Sequence, residues 1–506
     1  MTTTTLLDAL PEKTVLGTLP GTVTGVAYDS RKVEAGELFV AIPGFKQDGR
    51  RFAADALGRG AAAVVAEGGD PLPGSPTARI VVPSSREALA RLADAYFGHP
   101  SRRLTMVGIT GTNGKTTTSL LVEALLAAAG RPTGVIGTIQ YRVGAAVETA
   151  SQTTPEALEL QTLLARMVEA GVGGAAMEVS SHALALHRVE GIEFDVAVFT
   201  NLTQDHLDFH RTLEAYRDAK ARLFALLAAG RKPRRTAVVN VDDAAGPSMI
   251  AAAAADPRVR LITFGLEGRA DLSPRRWESG AGGIQLEVAT PRGPIAIGSP
   301  LVGEHNVMNL LGAIGVGLAL DMEPASIGRI LSGVQTVPGR FERVEAGQDF
   351  LVVVDYAHTP DALERVLTTA RKLVGSGGRL GVVFGCGGDR DRTKRPIMGG
   401  IATRIADRAW VTSDNPRTEK PEAILTEIQA GIGPEAAGRY ESLVDRRRAI
   451  QAAVAWAQTS DVVVIAGKGH ETYQIVGTQV LPFDDREVAR AALVERGGPG
   501  GRAWRR

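Results

Sequence analysis

The chain is organised around Met106-Val107-Gly108-Ile109-Thr110-Gly111-Thr112-Asn113-Gly114-Lys115-Thr116-Thr117-Thr118. The apolar run that ends at Ile109 predicts a buried strand, and the apolar residues that follow the turn at helical spacing predict a helix up to Gly130. A strand, a glycine-rich turn and a helix that starts with Gly-Lys-Thr are typical of a phosphate-binding loop. The usual pattern has Gly where this chain has Ile109, so we predict a variant P-loop in which Gly111 supplies the flexibility.

Length and composition narrow the class of protein. A chain of 506 residues predicts two to four domains. A net charge of +1 implies no broad attraction to nucleic acid or membranes. The single cysteine, Cys386, excludes an intrachain disulfide and suits a reducing compartment. We see no signal peptide and no segment long and apolar enough to cross a bilayer, so we expect a cytoplasmic protein.

The order of strand and helix patterns predicts an α/β protein with three domains. We assign residues 1–100 to a small N-terminal α/β domain, with strands at 36–44 and 61–66 around a helix at 52–57. Residues 101–335 form a central P-loop NTPase-like domain with a mainly parallel sheet. Residues 336–497 form a C-terminal Rossmann-like domain, and residues 498–506 are a Gly/Arg-rich tail that we expect to be disordered.

We predict two more apolar strands in the central domain. The strand at 175–182 ends in polar groups, and the strand at 195–201 is followed by the polar residues 205–208. Because ligands bind beyond the carboxyl ends of strands in open α/β sheets, we expect Glu178 and His206 at the same sheet edge as Lys115 and Thr116. Glu178 is the natural oxygen ligand for Mg²⁺ opposite the phosphates. For His206 the residues alone leave a ligand role and a structural role open.

A lysine lies between aromatic residues at helical spacing, in the order Tyr216, Lys220 and Phe224. Burial on that face would favour a neutral, nucleophilic amine. The alternative is a packed aliphatic stem with an exposed ammonium, and the spacing alone favours this alternative.

Polar clusters follow four predicted strands of the C-terminal domain, at residues 355–358, 385–391, 413–417 and 467–471. Arg390 and Arg417 could each bind a carboxylate with two hydrogen bonds, which points to a zwitterionic ligand that carries carboxylates. A surface ion-pair network is the open alternative.

Together these motifs resemble those of the Mur ligases. The resemblance covers nearly the whole chain and is carried by six stretches: 108–116, 177–182, 201–206, Tyr216 to Phe224, 355–360 and 414–417. It implies an ATP-dependent ligase that works through an acyl phosphate in cytoplasmic cell-wall precursor synthesis. The implied substrates are UDP-N-acetylmuramoyl-L-alanyl-D-glutamate and meso-2,6-diaminopimelate, with ATP and two Mg²⁺ ions, and we expect a monomer.

The same resemblance assigns site residues. The implied ATP-binding residues are Gly111, Thr112, Asn113, Gly114, Lys115, Thr116, Thr117, Asn306, Arg340 and Asp355. The implied UDP-substrate residues are Ser30, the loop Phe45-Lys46-Gln47, Gln152, Thr153, Thr154, Ser180 and Arg188. The implied amino-acid site contains Arg390, Asp414, Asn415, Pro416, Arg417, Gly467 and Glu471. The implied metal ligands are Thr116, Glu178, His206 and Lys220 as its carbamate (N6-carboxylysine), and Lys115, Lys220 and His206 are the implied catalytic residues.

Arg417 decides the expected amino acid. Diaminopimelate carries a distal carboxylate that a fixed guanidinium can pair with, whereas lysine offers no such anion. The alternatives are a lysine-adding ligase, a folylpolyglutamate synthase and, from another class, a P-loop switch that hydrolyses nucleotide without an amino acid.

Overall fold

The computed structural model describes residues 1–44, 47–68, 72, 78–267, 270–280 and 282–497. The loop residues Phe45 and Lys46 and the tail 498–506 lie outside the described residues. The chain forms two compact units. The first contains Met1–Pro274, Val288–Ile295 and Met308–Leu331, and the second contains Arg275–Glu287, Ala296–Val307 and the chain from Ser332 onward.

The first sheet belongs to the N-terminal region. Five strands of the described chain form it, in the order β1-β5-β4-β3-β2. The pairing is parallel except between β1 and β5. The strands are β1 Thr14–Gly17, β2 Val26–Ala27, β3 Leu38–Val40, β4 Ala63–Glu67 and β5 Ala78–Val82, and the helices are α1 Thr3–Leu7, α2 Ala53–Gly58 and α3 Ser85–Tyr96. The strand predicted at 36–44 is shorter in the structure because Gly36 has a left-handed φ of +85° and Pro43 has no N–H to donate.

The second sheet contains eight described strands in the order β13-β12-β11-β6-β10-β7-β8-β9. It is parallel from β13 to β7, and β8 and β9 add an antiparallel edge. The strands are β6 Thr105–Thr110, β7 Thr133–Ile136, β8 Gln140–Val143, β9 Ala146–Thr149, β10 Gly174–Glu178, β11 Val196–Phe199, β12 Arg235–Asn240 and β13 Val259–Phe264. The helices are α4 Lys115–Ala127, α5 Ala157–Glu169, α6 Ser181–Ala185, α7 Leu207–His210, α8 Leu213–Ala229 and α9 Gly246–Ala253.

Strand order in this sheet positions the predicted site. Strand β6 lies between β10 and β11 and runs parallel to both, so the chain segments after the three strands emerge at one edge. These segments carry the P-loop, Glu178 and His206. The stretch predicted as a strand at 175–182 ends at Glu178, because the Ser180 hydroxyl accepts a hydrogen bond from the N–H of Ala183 and caps α6.

A small third sheet, β14-β15-β16 in the described chain, comprises β14 Ser273–Gly280, β15 Gly283–Ala289 and β16 Ile295–Ser299. Two helices follow, α10 Glu304–Ala319 and α11 Pro324–Gly333.

The C-terminal sheet has six described strands in the order β17-β18-β22-β19-β20-β21, all parallel except β17. Its strands are β17 Glu342–Arg343, β18 Leu351–Asp355, β19 Leu380–Phe384, β20 Arg408–Thr412, β21 Tyr440–Leu443 and β22 Val462–Ala466, and a separate hairpin joins β23 Tyr473–Val476 to β24 Gln479–Pro482. The helices are α12 Pro360–Leu373, α13 Lys394–Ile405, α14 Pro421–Gln429, α15 Arg446–Trp456 and α16 Asp485–Gly497. Apolar side chains cover both faces of this sheet, as expected of a doubly wound domain.

The predicted α/β class with mostly parallel sheets is confirmed. The domain bounds 1–100, 101–335 and 336–497 stay a prediction. Among the described residues, no helix combines the length and the apolar character needed to cross a membrane.

Candidate active site

The turn after β6 has the backbone of a P-loop. Gly111 and Gly114 have φ values of +153° and +87°, which L-residues with a side chain rarely adopt. A Cβ on Gly111 would collide with the Thr200 hydroxyl, and a Cβ on Gly114 would collide with the Asn309 amide. Both glycines are therefore required, and Gly111 does replace the glycine missing at Ile109. The contact with Asn309 was not predicted, because only the fold brings α10 to this turn.

Lys115 begins α4 and folds over the turn. Its Nζ donates to the carbonyls of Gly111 at 2.8 Å and Thr112 at 2.9 Å. The turn is tied to the end of β11, because the N–H groups of Thr112 and Asn113 donate to the backbone and side-chain oxygens of Asn201 at 2.8 and 2.9 Å. An ammonium and a helix N-terminus therefore meet at a fixed loop, which is the arrangement that binds phosphate.

Glu178 ends β10 and is buried, with a relative exposure of 1%. Its carboxylate accepts hydrogen bonds from the Thr116 hydroxyl at 3.1 Å and from the backbone N–H and hydroxyl of Thr138 at 2.9 and 3.0 Å. The predicted pair of oxygen donors, Thr116 and Glu178, is thus adjacent beside the P-loop. Thr138 was missed, because its role depends on the neighbouring position of β7 and β10 in the sheet.

Five side chains assigned to the UDP-linked substrate also lie together, namely Gln152, Thr153, Thr154, Ser180 and Arg188. Arg188 donates to the side-chain oxygen of Gln152 at 2.6 Å and to the carbonyl of Thr154 at 3.0 Å. The Thr154 hydroxyl lies 3.3 Å from the Ser180 hydroxyl. Thr153 shares a 3.1 Å hydrogen bond with Thr138, which connects this group to Glu178. The group therefore borders the carboxylate beside the P-loop.

The segment that carries Ser30 is attached to helix α5. It is buried at the start of a 3-10 turn, and Tyr28, two residues earlier, donates to Glu159 in α5 at 2.8 Å. Burial and the Glu159 carboxylate raise the pKa of the Tyr28 phenol. Arg188 forms an ion pair of 2.6 Å with Glu156, the residue that precedes α5. The segments of Ser30 and Arg188 are therefore both anchored at the start of one helix.

Lys220 lies inside the protein on α8 and has a relative exposure of 1%. Its Nζ sits 4.2 Å from the centre of the Tyr216 ring, and the Tyr216 hydroxyl lies 3.1 Å from that of Thr112 in the P-loop. Burial, and next the nearby Lys115 ammonium, lower the pKa of Lys220 well below its usual value. The burial that the resemblance implies is confirmed, and the exposed ammonium that the spacing alone favoured is wrong.

His206 also lies near this ring, with its ring centre 6.1 Å from that of Tyr216. It also packs edge-on against His182 at 4.7 Å. Among the described residues, no group of three or more His, Cys, Asp or Glu side chains is arranged to hold a metal ion. A metal here would need donors of another kind, such as a threonine hydroxyl, a nucleotide phosphate or a modified lysine.

Three residues assigned to ATP, Asn306, Arg340 and Asp355, belong to the second unit. Asn306 is buried and donates to a backbone carbonyl at 2.7 Å. Arg340 stacks 4.8 Å from the centre of the Tyr356 ring. Asp355 accepts from two backbone N–H groups at 2.7 and 2.8 Å, and burial raises the pKa of its carboxyl although Arg340 opposes that shift.

Arg417 and Arg390 flank one glycine in the second unit. Arg417 donates from Nη1 to the carbonyl of Gly388 at 2.8 Å. A Cβ built on Gly387 would lie 2.9 Å from that nitrogen and 3.7 Å from Cγ of Arg390. The Arg417 guanidinium is therefore held by a backbone carbonyl, and a side chain at position 387 would require this guanidinium to shift.

The hairpin β23–β24 braces the turn at 414–417. The N–H of Arg417 donates to the carbonyl of Ile475 at 3.1 Å, and the N–H of Gly477 donates to the carbonyl of Arg417 at 2.7 Å. The side chain of Gln474 donates to the carbonyl of Asp414 at 2.7 Å. This pairing holds Arg417 at a left-handed φ of +52°. The sequence did not predict the hairpin contact, which joins segments about sixty residues apart.

Acidic and amide groups complete this cluster. Asn415 donates to Glu471 at 2.9 Å, and the buried Lys468 ammonium lies 3.0 Å from the same carboxylate. Gly467 has a φ of +119°, and a Cβ there would lie 2.6 Å from the carboxylate of Asp414. The structure thus brings together Asp414, Asn415, Arg417, Gly467 and Glu471.

Two buried arginines that sequence reasoning missed support this site. Arg395 is fully buried, binds Glu419 with both terminal nitrogens at 2.8 and 2.9 Å, and donates to the carbonyl of Gly387 at 3.2 Å. Arg446 pairs with Asp485 and donates to the carbonyl groups that follow β20 and end β22. Both arginines lie on helices, where a basic residue usually indicates a solvated face.

Three family profiles match this chain. The profile of the Mur ligase middle domain matches residues 109–317. The profile described as Mur ligase, glutamate ligase domain matches residues 339–469, and that described as Mur ligase family, catalytic domain matches residues 22–97. The three matches together span most of the chain.

Full-length relatives are similar as well. The UDP-N-acetylmuramoyl-L-alanyl-D-glutamate--2,6-diaminopimelate ligase of Geobacillus kaustophilus is 47% identical over 96% of this chain and 99% of its own length. The ligase of the same name from Gloeobacter violaceus is 50% identical over 94% of each chain. A solved structure of a ligase of that name is 35% identical, covers 98% of this chain and 100% of its own, and superimposes with a TM-score of 0.70. The chain belongs to the Mur ligase family.

Proposed function

We propose that the protein is an ATP-dependent ligase that joins meso-2,6-diaminopimelate to the γ-carboxylate of D-glutamate in UDP-N-acetylmuramoyl-L-alanyl-D-glutamate. The observation that carries the proposal is the cluster around residues 414–417, where the Arg417 guanidinium, the stem of Arg390 and the Glu471 carboxylate lie beyond the ends of parallel strands. A substrate with two carboxylates and two ammonium groups needs both signs of charge in its site. The names of the full-length relatives support the same substrate.

The P-loop supports ATP as the energy source. Lys115 and the N-terminus of α4 bind the phosphates in this proposal, and the Thr116 hydroxyl and the Glu178 carboxylate present oxygen donors beside them. These residues fit Mg²⁺, which prefers oxygen ligands and keeps some coordination sites for substrate phosphates. Mg²⁺ bound there would neutralise phosphate charge. The finer assignments of the site residues rest on the resemblance and stay proposals.

The reaction requires no side-chain nucleophile. An oxygen of the γ-carboxylate attacks the γ-phosphorus of ATP, the bond to the β-phosphate oxygen breaks, and ADP leaves with an acyl phosphate remaining. The neutral amine of diaminopimelate then attacks the acyl carbon, phosphate leaves, and the amine loses a proton as the amide forms. Lys115 stabilises the charge that develops on the transferred phosphoryl group, because its ammonium is held over the loop.

Lys220 carries a second proposal, that its amine is carbamylated. A neutral lysine amine attacks CO₂, the N–C bond forms, and one proton is released to solvent. Burial favours the neutral form of the Lys220 amine by lowering its pKa, and the product carboxylate would supply a donor for a second Mg²⁺ together with His206. The absence of a ready group of three His, Cys, Asp or Glu donors among the described residues agrees with the need for an added carboxylate.

The test of the main proposal is the amino-acid dependence of ADP release. Purified protein with ATP, Mg²⁺ and the UDP-linked dipeptide should release ADP rapidly only when meso-diaminopimelate is added. L-Lysine should support at least about a thousandfold lower kcat/KM, because an unpaired Arg417 guanidinium opposes its binding. Comparable turnover with L-lysine would contradict the assigned specificity, and ADP release without any amino acid would favour a nucleotide switch.

The carbamate has its own test. Lys220→Ala should lose activity, and short carboxylic acids such as acetate should restore part of it by filling the space of the carbamate. Lys372→Ala, a change at an exposed lysine of the second unit, serves as the control and should retain activity. Loss of activity in Lys220→Ala without any rescue would count against the carbamate.

The remaining partners follow from the substrates. We propose action in the cytoplasm, where ATP and UDP-linked precursors are made, and we expect a monomer without a nucleic-acid or membrane partner. Size-exclusion chromatography with light scattering measures the oligomeric state directly.

A further inference from the structure

We propose that Lys468 is a positioning residue for the amino-acid substrate. Its ammonium binds one oxygen of Glu471 and the side-chain oxygen of Asn415, so that the other oxygen of Glu471 faces an ammonium group of the substrate. This inference rests on the proposed function and deepens it.

Lys468 is a buried cation whose contacts compensate for its lost hydration. Lys468 has a relative exposure of 0%, which is rare for lysine, and its Nζ lies 3.0 Å from Oε2 of Glu471 and 3.2 Å from Oδ1 of Asn415. The ring of Tyr473 lies 5.5 Å away. A buried ammonium persists only when anions and hydrogen-bond acceptors compensate for lost water, so its contacts with Glu471 and Asn415 are required.

Lys468 also contacts the side-chain amide of Asn415. Its Oδ1 accepts from Lys468 and from the N–H of Ile475 at 3.0 Å, which leaves the Nδ2 to donate to Oε2 of Glu471 at 2.9 Å. The alternative flip would set two donors against the amide nitrogen. Lys468 therefore helps to fix the amide of a residue that the resemblance assigns to the amino-acid site.

Glu471 is held through one of its two carboxylate oxygens. Its Oε2 accepts from both Lys468 and Asn415, whereas its Oε1 accepts no hydrogen bond from the described residues. The side chain keeps 15% exposure, so Oε1 is accessible. One carboxylate oxygen is thus held by the protein and the other is available to a cation from outside.

The backbone conformation on either side of Lys468 restricts the position of its side chain. Gly467 and Gly469 on either side have φ values of +119° and +53°. A Cβ on Gly469 would lie 2.7 Å from Cβ of Tyr356, so the segment is wedged against its neighbours. The N–H of Glu471 donates to the carbonyl of Lys468 at 2.9 Å, which closes the turn that places the two side chains together.

The test is a steady-state comparison of Lys468→Met with the unchanged chain. Methionine keeps most of the stem and removes the ammonium. We expect the KM for diaminopimelate to rise about 10- to 100-fold, with the KM values for ATP and the UDP-linked dipeptide within about twofold and kcat within about threefold. Lys372→Met, at an exposed lysine, should leave all four parameters unchanged.

A double-mutant cycle separates positioning from general support of the fold. Glu471→Gln alone should raise the KM for diaminopimelate, and adding Lys468→Met to it should raise that KM less than about twofold further. Independent, multiplicative effects would overturn the inference, as would an unchanged KM in Lys468→Met or an equal rise in all three KM values. Should the Met variant fail to fold, Lys468→Gln carries the same test.

Measurements on the unchanged chain separate a failure of the proposed function from a failure of the Lys468 proposal. Absence of diaminopimelate-dependent ADP release from the unchanged protein would overturn the proposed function itself. Normal release together with an unaltered KM in the Lys468 variants would overturn only the role of Lys468.

Discussion

Replacement of Asp485 by alanine is the sharpest test of how the amino-acid site is supported. Arg446 and Asp485 are both fully buried and form two hydrogen bonds of 2.7 Å each. Asp485→Ala leaves the guanidinium inside the protein without the carboxylate that accepts two of its hydrogen bonds. Breaking a buried pair in this way costs about 3–5 kcal/mol, so we expect that loss in the free energy of unfolding of the second unit.

The assay is thermal unfolding followed by tryptophan fluorescence. Trp410 is buried and packs against Trp456 with ring centres 5.5 Å apart, so these residues report on the sheet that carries the site. For a unit of this size each kcal/mol shifts the melting temperature by about 2–4 °C, so Asp485→Ala should lower it by roughly 6–20 °C. The KM for diaminopimelate should also rise, because Arg446 holds the carbonyl of Ala466 at 2.9 Å, just before Gly467.

A rescue variant and a control variant accompany Asp485→Ala. Arg446→Met combined with Asp485→Leu should recover most of the lost stability, since an apolar pair carries no desolvation penalty. Glu364→Ala breaks the exposed pair with Arg404 and should cost less than about 1 kcal/mol. A melting temperature for Asp485→Ala as high as that of Glu364→Ala would refute the argument.

Three other outcomes are expected. Gly467→Ala should raise the KM for diaminopimelate at least about tenfold with little change in the KM for ATP, because its Cβ would lie 2.6 Å from the carboxylate of Asp414. Equal KM values for the variant and the unchanged chain would contradict this. Thr116→Ala should lower kcat at least about tenfold while Thr116→Ser largely restores it, since only the hydroxyl reaches Glu178; kcat values for Ala and Ser that agree would count against the role. Burial lowers the pKa of His470 to about 4, so as the pH falls the unfolded chain takes up this proton at a higher pH than the folded chain does. The free energy of unfolding should therefore decrease as the pH falls from about 6.5 to 4. His470→Phe should show a shallower decrease in urea titrations.

Local sequence patterns predicted the parts of the site that one strand and its following turn contain. The P-loop and Glu178 were readable because the ends of strands fix where the following residues lie. The burial of Lys220 was not readable from its spacing, which alone favoured an exposed ammonium. Thr138 and Asn309 were not readable, since their roles depend on which strand and which helix pack beside the P-loop.

Sequence patterns also failed to predict which basic side chains are buried. Arg395 and Arg446 lie in stretches whose composition suggests solvated surface, yet each is fully buried and pairs with a carboxylate distant in sequence. Their partners Glu419 and Asp485 are separated from them by 24 and 39 positions. Pairings over such separations are set by the packing of helices on the sheet, and no local pattern encodes them.

The most direct test of the central claim is identification of the product. The protein is incubated with ATP, Mg²⁺, the UDP-linked dipeptide and meso-diaminopimelate, and the mixture is analysed by mass spectrometry alongside ADP and phosphate. The account predicts one UDP-linked tripeptide for each ADP and each phosphate, and no tripeptide when Arg417 is replaced by alanine. ADP and phosphate formed without any tripeptide would contradict it.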